Sequence, residues 1–175
     1  MYLRANCVIF SASADGFLSL GQRKVRCALG KGGLRLAADK REGDLCSPLG
    51  VWPIRRVLYR PDKGPAPSTE LPTAPILPDD GWCDAPDDPN YNRPVKLPYP
   101  RSFEPMWRDD DLYDLVVVLG HNDDPPRSPM GSCIFVHVAR PGYLPTEGCV
   151  ALERQDLEAL LAEAQPGDAV EIRAA

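Results

Sequence analysis

Prolines are concentrated in the middle of this chain, and this limits its possible folds more than any other feature. Of the 20 prolines, 12 lie between Pro61 and Pro105. Proline lacks a backbone N–H and fixes φ, so the segment is unsuited to a helix or a central strand. We therefore expect residues 60–110 to form an ordered, irregular insertion in one domain spanning residues 1–175. Long loops in compact domains are usually functional, which favours a lid or the wall of a cleft.

The rest of the chain is typical of a mainly β fold. Short apolar runs predict strands over residues 6–12, 24–29, 50–59, 115–119, 133–138 and 169–172. The first two runs suggest a β-meander, with Asp15-Gly16 as a turn between them. A single helix is predicted over residues 153–165, which ends before Pro166-Gly167. This pattern favours a packed or barrel-like sheet with one C-terminal helix.

Charge and hydropathy exclude some classes of protein. The formal net charge is −5, which argues against a nucleic-acid binder because such proteins usually carry a basic patch. No apolar run reaches the roughly 18 residues of a membrane helix, so no membrane span is expected. Residues 1–20 lack the zones of a signal peptide, so no export signal is visible.

The six cysteines do not have the spacing of a metal site. They are Cys7, Cys27, Cys46, Cys83, Cys133 and Cys149. No paired CxxC is present, so we expect no zinc, no other metal and no cofactor. Cys7, Cys27 and Cys133 lie in strand-like runs and are expected in the core. Cys46 and Cys83 lie in predicted loops, where they are either free or bridged in an oxidising compartment.

One cysteine could lie beside a histidine once the chain is folded. His121 and His137 are the two histidines of the chain. If His137 ends a strand and Cys149 begins the next, a hairpin-like return would bring imidazole and thiol together. Gly148 would let the backbone bend beside the thiol, and the amides around it could stabilise an oxyanion. From the residues alone, an inert buried cysteine remains the alternative.

Residues 137–152 resemble the signature of the L,D-transpeptidase (YkuD-like) family. In that signature a histidine ending a strand is followed by Ser/Thr-His-Gly-Cys and an aliphatic pair. The matching positions are Thr146, Gly148, Cys149, Val150 and Leu152. Residues 40–44 and 47–54 are similar to the family's strand entry, and Pro166-Gly167-Asp168 after the helix also fits. The resemblance covers about residues 20–60 and 113–173.

This resemblance implies a YkuD-type β-sandwich or barrel-like domain with a long proline-rich insertion. It also implies that Cys149 attacks a stem-peptide carbonyl, that His137 activates the thiol, and that the Val138 carbonyl orients the imidazole. The reaction would be peptidoglycan cross-linking, with 3→3 or 1→3 linkages, as part of cell wall biogenesis. The alternatives are an L,D-carboxypeptidase or endopeptidase using the same thioester, and a non-catalytic peptidoglycan-binding domain. The resemblance further implies a periplasmic or cell-envelope location and covalent inhibition by carbapenems.

The chain departs from the family pattern at two positions and in one interval. Glu147 replaces the usual histidine, Ala151 replaces the usual arginine, and the interval from His137 to Cys149 is short. A carboxylate facing the thiol would raise the thiol pKa, so we expect Glu147 to pair with Arg140 or Arg154. The residues expected to contact substrate are His121, Asn122, Arg140, Thr146 and Glu147.

Two further expectations concern His121 and the aspartates. His121 either lies beside the cleft and replaces the lost histidine, or is an ordinary loop residue. The aspartates at 79–80, 87–88 and 109–111 lack the spacing of a calcium loop and are expected to be solvated. Alternatively, they form an acidic rim that attracts the amine of an acceptor diaminopimelate side chain.

Overall fold

A computed structural model of the protein describes residues 7–175 as thirteen strands and one α-helix. The strands are β1 (Ile9–Ser13), β2 (Phe17–Leu20), β3 (Arg23–Ala28), β4 (Leu34–Leu36), β5 (Ser47–Tyr59), β6 (Thr73–Pro75), β7 (Asp80–Cys83), β8 (Pro94–Lys96), β9 (Phe103–Pro105), β10 (Leu115–Leu119), β11 (Phe135–Val138), β12 (Val150–Leu152) and β13 (Ala169–Arg173). The helix α1 is Arg154–Glu163. The predicted mainly β class with one helix is confirmed.

Eight strands form a closed, barrel-like ring in the order β10, β11, β12, β3, β2, β1, β13 and β5. The ring closes because β5 has 13 residues and pairs with two strands. Its first half pairs with β13 and its second half with β10. The strands β4 and β6 extend the sheet beside β5. The two strands of the predicted meander correspond to β1 and β3, and the additional strand β2 lies between them and pairs with both.

The core of the ring is filled partly by α1. Leu157, Leu160 and Leu161 of the helix are fully buried in this core, and burial of each leucine typically contributes about 1.5–3 kcal/mol. This is the apolar face that the sequence predicts, although the helix ends at Glu163 rather than at residue 165. Within residues 7–175, no helix is long and apolar enough to span a membrane.

The alternation of side chains in β10 gives the sheet two apolar faces. Leu115, Val117 and Leu119 point into the core that contains α1. Val116 and Val118 point to the opposite face and join a second apolar cluster. Side chains alternate with a period of two along a strand, so this outer face must be covered by another part of the chain.

The proline-rich insertion covers the outer face. It is ordered, as expected, and contains a small sheet in which β7 pairs with β8 and β9. Trp82 and Met106 from the insertion are buried against Val116 and Val118. Its aspartates are mostly bound in surface ion pairs, such as Asp79 and Asp80 with Lys96, Asp87 with Arg101, and Asp110 with Arg108. Such pairs contribute little to stability.

Several predicted boundaries and environments were wrong. The strand predicted over 133–138 begins at Phe135, because Cys133 has a φ of 54° that ends strand geometry. The four-residue strand β2 was not predicted. The predicted strand over 6–12 is β1, and its first residue lies outside the described part of the chain. Cys7 is exposed rather than in the core, and all six cysteines are free.

Candidate active site

His137 and Cys149 are brought together by the parallel pairing of β11 and β12. In that register His137 lies opposite Ala151. Cys149 directly precedes β12, and its Sγ accepts a hydrogen bond from the Phe135 N–H at 3.4 Å. Because side chains alternate, His137 and Cys149 lie on the same face of the sheet, one pleat apart. The two strands are parallel neighbours, so the expected hairpin-like return was wrong, although His137 and Cys149 do lie on one face of the sheet.

Both residues line one cleft of about 240 Å³. Its walls include residues 40–45, the insertion with the adjoining residues 112–113, residues 132–134, and residues 140–147. Arg140, Thr146 and Glu147, which the sequence suggested as substrate contacts, are among the lining residues. His121 and Asn122 are not.

His121 packs inside the protein, away from the thiol. Its ring lies 4.6 Å from that of Trp52 in an edge-to-face arrangement. Its Nε2 lies 3.1 Å from the Met130 carbonyl. Asn122 donates from its side chain to the Gly131 carbonyl at 2.9 Å and so shapes the loop. The suggestion that His121 replaces the missing histidine rested on its rarity in the sequence, and the geometry does not support it.

The His137 ring is held in one tautomer. Its Nδ1 lies 2.8 Å from the Val138 carbonyl oxygen, which can only accept a hydrogen bond. Nδ1 therefore carries the proton, and Nε2 is left as an acceptor. The pKa of His137 is lowered to about 4, chiefly by burial and to a smaller extent by the guanidinium groups of Arg108 and Arg140, while the Val138 carbonyl opposes this shift. The imidazole is therefore neutral at pH 7.

The Cys149 thiol is also neutral at rest. It is 8% exposed, and its Sγ donates to the Cys133 carbonyl at 3.1 Å. The pKa of Cys149 is raised to about 12, chiefly by burial and to a smaller extent by Glu104 and Glu147, while the Phe135 N–H opposes this shift. Thiolate formation at neutral pH must therefore be coupled to another event, such as attack on a substrate.

Gly148 and Thr146 form the turn that presents the thiol. Gly148 has a φ of 139°, and a Cβ there would lie 2.9 Å from the Cys46 carbonyl oxygen, so a larger residue would be strained. Its N–H donates to Thr146 Oγ1 at 3.1 Å, and that hydroxyl donates to the Cys149 carbonyl at 2.7 Å. The Gly148 amide is thus already used and is not free for an oxyanion, contrary to expectation.

The predicted ion pair of Glu147 was wrong. Arg154 instead binds Asp114 at 3.3 Å and Glu158 at 3.0 Å. Within residues 7–175 Glu147 has no ion pair with Arg140 either. Its carboxylate lines the cleft and is among the groups that raise the pKa of the thiol.

Asn92 in the insertion is a residue that sequence reasoning missed. Its Oδ1 accepts from Trp82 Nε1 at 3.0 Å and from the Cys133 N–H at 3.1 Å. Its Nδ2 donates to the Asn122 carbonyl at 2.7 Å and to the His121 carbonyl at 3.2 Å. All four hydrogen-bonding positions of this buried amide are therefore used. Asn92 fixes the Cys133 backbone, whose carbonyl contacts the thiol.

Tyr91 fixes the same loop from the next position. Its hydroxyl accepts from the Gly131 N–H at 2.9 Å and bonds to the Glu42 carboxylate. Glu42 also accepts from the Ser132 hydroxyl at 2.8 Å. Tyr91 and Asn92 therefore hold residues 131–133, and nothing in the local sequence indicates these long-range contacts.

Arg108 is a second residue that was missed. Ala151 lines the cleft with a small side chain where the family pattern has arginine, and Arg108 from the insertion lines the same cleft. Arg108 is held by Glu104 at 2.9 Å and Asp110 at 2.8 Å. The insertion therefore supplies a guanidinium group to the cleft.

The cleft contains more acids than bases. The acidic residues are Glu42, Asp84, Glu104 and Glu147, and the basic residues are Lys40, Arg108 and Arg140. Asp84 Oδ1 is buried without a hydrogen-bond partner, and burial raises the pKa of Glu104 while Arg108 opposes it. In the described part of the chain, no group of three or more side chains is placed to hold a metal ion.

Comparisons with known proteins identify the family. The model of the L,D-transpeptidase catalytic domain (YkuD) matches residues 16–172. One similar solved structure is the crystal structure of L,D-transpeptidase 3 from Mycobacterium tuberculosis in complex with a faropenem-derived adduct, with a TM-score of 0.44, 15% identity, and coverage of 95% of this chain and 60% of that chain. No curated protein matches the chain significantly. Because the family model covers most of its length, this chain belongs to the YkuD family of L,D-transpeptidase catalytic domains.

Proposed function

We propose that this protein is an L,D-transpeptidase that cross-links peptidoglycan stem peptides through an acyl-enzyme on Cys149. The observation that carries the proposal is the shared face of His137 and Cys149 in one cleft. The Val138 carbonyl leaves His137 Nε2 as an acceptor, which is the state required of a general base. The substrate would place the protein in the cell envelope.

In the first step, the Cys149 sulfur bonds to the donor carbonyl carbon while the thiol proton passes to His137 Nε2. Both groups are neutral at rest, since their pKa values are about 12 and about 4, so proton transfer accompanies attack. The tetrahedral intermediate then collapses to a thioester, and the leaving amine takes the proton from His137.

In the second step, an acceptor amine attacks the thioester. The amine loses a proton to His137 Nε2, a peptide bond forms, and the sulfur regains its proton from the imidazolium. Glu104, Glu147 and Asp84 line the cleft, and these acids favour an amine acceptor by attracting its ammonium form. If water takes the place of the amine, the same thioester gives an L,D-carboxypeptidase or endopeptidase.

A non-catalytic peptidoglycan-binding domain is the second candidate. The observation that favours it is the thiol pKa of about 12, to which Glu104 and Glu147 contribute. The replacement of the family's histidine and arginine by Glu147 and Ala151 points the same way. In this case the cleft would hold a stem peptide without turnover.

The experiment is mass spectrometry of products after incubation with a disaccharide tetrapeptide from peptidoglycan. The wild type is compared with Cys149→Ala and with Cys7→Ser, which removes an exposed thiol outside the cleft. We expect a cross-linked dimer from the wild type and Cys7→Ser only, and the residues lost from the donor will distinguish 3→3 from 1→3 linkage. A trimmed monomer alone would indicate a carboxypeptidase.

Unchanged substrate would favour the binding domain. Incubation with a carbapenem provides a second readout, because acylation would add the mass of the drug to the wild type and not to Cys149→Ala. No adduct and no product together would exclude a reactive Cys149.

A further inference from the structure

A second cavity of about 370 Å³ lies between the insertion and the strands β5 and β10. It differs from the catalytic cleft in having mainly basic charged groups. Its charged lining residues are Arg55, Arg56, Arg93 and Asp123. Its size falls within the usual range for small-molecule sites. Neither Cys149 nor His137 lines it.

A β-bulge brings two of these arginines together. Arg56 pairs with Val118 and Ile54 pairs with Leu119, so Arg55 has no partner in β10. In a regular strand, Arg55 and Arg56 would point to opposite faces of the sheet. A bulge changes the direction of a side chain, and bulges are common beside functional sites. Here both arginines line the same cavity.

The positive charge of the cavity is only partly compensated. Asp123 binds Arg55 through two contacts of 2.8 and 3.1 Å. Within residues 7–175, neither Arg56 nor Arg93 forms an ion pair, and Arg56 Nε is buried without a hydrogen-bond partner. The Arg56 guanidinium lies 5.6 Å from the centre of the Trp82 ring. Two uncompensated guanidinium groups therefore face one cavity on a protein whose net charge is −5.

We propose that this cavity binds a small oxyanion ligand, carrying a carboxylate or phosphate group, between Arg56 and Arg93. A guanidinium group offers two parallel N–H donors that match the two oxygens of either group. Pairing would also compensate the partly buried charge of Arg56, which is otherwise costly. Pro94, Val118 and Phe135 form an apolar wall, which suits a ligand with a short hydrocarbon part.

The proposed anion site is independent of the proposed reaction. Ile134 lines both cavities and stands between the acidic cleft and the basic cavity. Binding of an anion therefore needs no thiol chemistry and can be measured in a protein without turnover.

The test is isothermal titration calorimetry of the full chain at low ionic strength with three probes. These are inorganic phosphate, glutarate as a small dicarboxylate, and glutaramide as its neutral analogue. We expect at least one anion to bind, the diamide not to bind, and Arg56→Gln and Arg93→Gln each to weaken binding at least about tenfold. The matched control is Arg127→Gln, an exposed arginine that does not line the cavity, which should bind as the wild type does.

The two anions identify the charged group of the ligand. Binding of phosphate alone would indicate a phosphorylated ligand, and binding of glutarate alone would indicate a ligand with a carboxylate. The proposal is overturned if the wild type binds neither anion, if the diamide binds equally well, or if both arginine variants bind normally. Arg93 is exposed, so Arg93→Gln remains informative even if Arg56→Gln does not fold. Binding should also weaken as salt is added, because the charges are partly exposed.

Discussion

The cleft that contains Cys149 and the proposed anion cavity lie under the same insertion but have opposite charge. In the cleft, acids such as Glu104 and Glu147 help to keep the thiol protonated. In the cavity, Arg56 and Arg93 remain without an anionic partner in the described chain. The two share Ile134 as a wall. The comparison teaches that the insertion and loops determine the charge of the cleft, whereas the cavity takes Arg56 from the ring strand β5 and Arg93 from the insertion.

The largest expected effect is a loss of turnover in the cleft that leaves anion binding in the other cavity unchanged. His137→Gln should lower kcat by about 10²- to 10⁴-fold, which is the usual contribution of a general base, and should leave anion binding unchanged. Steady-state kinetics and calorimetry on the same variant measure both. His121→Gln is the matched control, because His121 is also buried but does not line the cleft. An equal loss of kcat in this control would contradict the assignment of the base.

The second effect should damage both cavities at once. Asn92 lines the anion cavity and holds the Cys133 N–H beside the cleft. Asn92→Ala leaves several buried partners unpaired and should lower the free energy of unfolding by about 3 kcal/mol. It should also lower kcat more than it changes KM, because the Cys133 carbonyl that contacts the thiol is released. Urea denaturation and kinetics are the measurements.

The matched control for this change is Asn90→Ala, an exposed asparagine two positions away. It should change the free energy of unfolding little. If both variants are equally stable, the hydrogen bonds of Asn92 do not hold the loop.

The third effect is a pH dependence of the free energy of unfolding, caused by His137 in the cleft. The pKa of His137 is about 4 in the folded protein, against the model-compound value of 6.5. The unfolded chain therefore binds a proton between these values while the folded protein does not, so stability falls as pH falls from 6.5 to 4. The loss attributable to His137 should be about 3 kcal/mol. Urea denaturation at pH 7 and pH 4.5 should show a smaller loss for His137→Gln than for the wild type.

The smallest effect concerns the acidic side of the cleft. Glu147→Gln removes one of the charges that raise the pKa of Cys149. Because burial is the larger cause, alkylation of Cys149 at pH 8 should speed up only about two- to fivefold. Peptide mass spectrometry measures the rate for each cysteine, and Glu70→Gln, outside both cavities, is the control. A slower rate in Glu147→Gln would show that the carboxylate helps to form the thiolate.

Much of the fold follows from local patterns in the sequence. The strand β10 has the predicted bounds, and the buried face of α1 is the predicted one. The concentration of prolines correctly separated residues 60–110 from the ring. The short strand β2 was missed because four residues give little periodicity.

The site was predictable only where a family signature or a rare residue marked it. The sequence singled out Cys149 and His137 as candidates in this way. Asn92 and Arg108 were missed because their roles depend on contacts between distant parts of the chain, such as the bond from Cys133 to Asn92. The bulge at Arg55 depends on pairing with β10 and has no local signal. The suggestion that His121 lies beside the cleft was not supported, because the sequence around it does not show which way the loop turns.

The parallel pairing of β11 with β12 has a consequence for the loop between them. The hydrogen-bonded register holds His137 and Cys149 in place, while residues 139–145 leave the sheet before the chain returns to it at Thr146. The number of residues in this connection therefore does not measure the separation of the two side chains. This connection can be shortened, lengthened or exchanged to reshape the entrance of the cleft while His137 and Cys149 stay where they are.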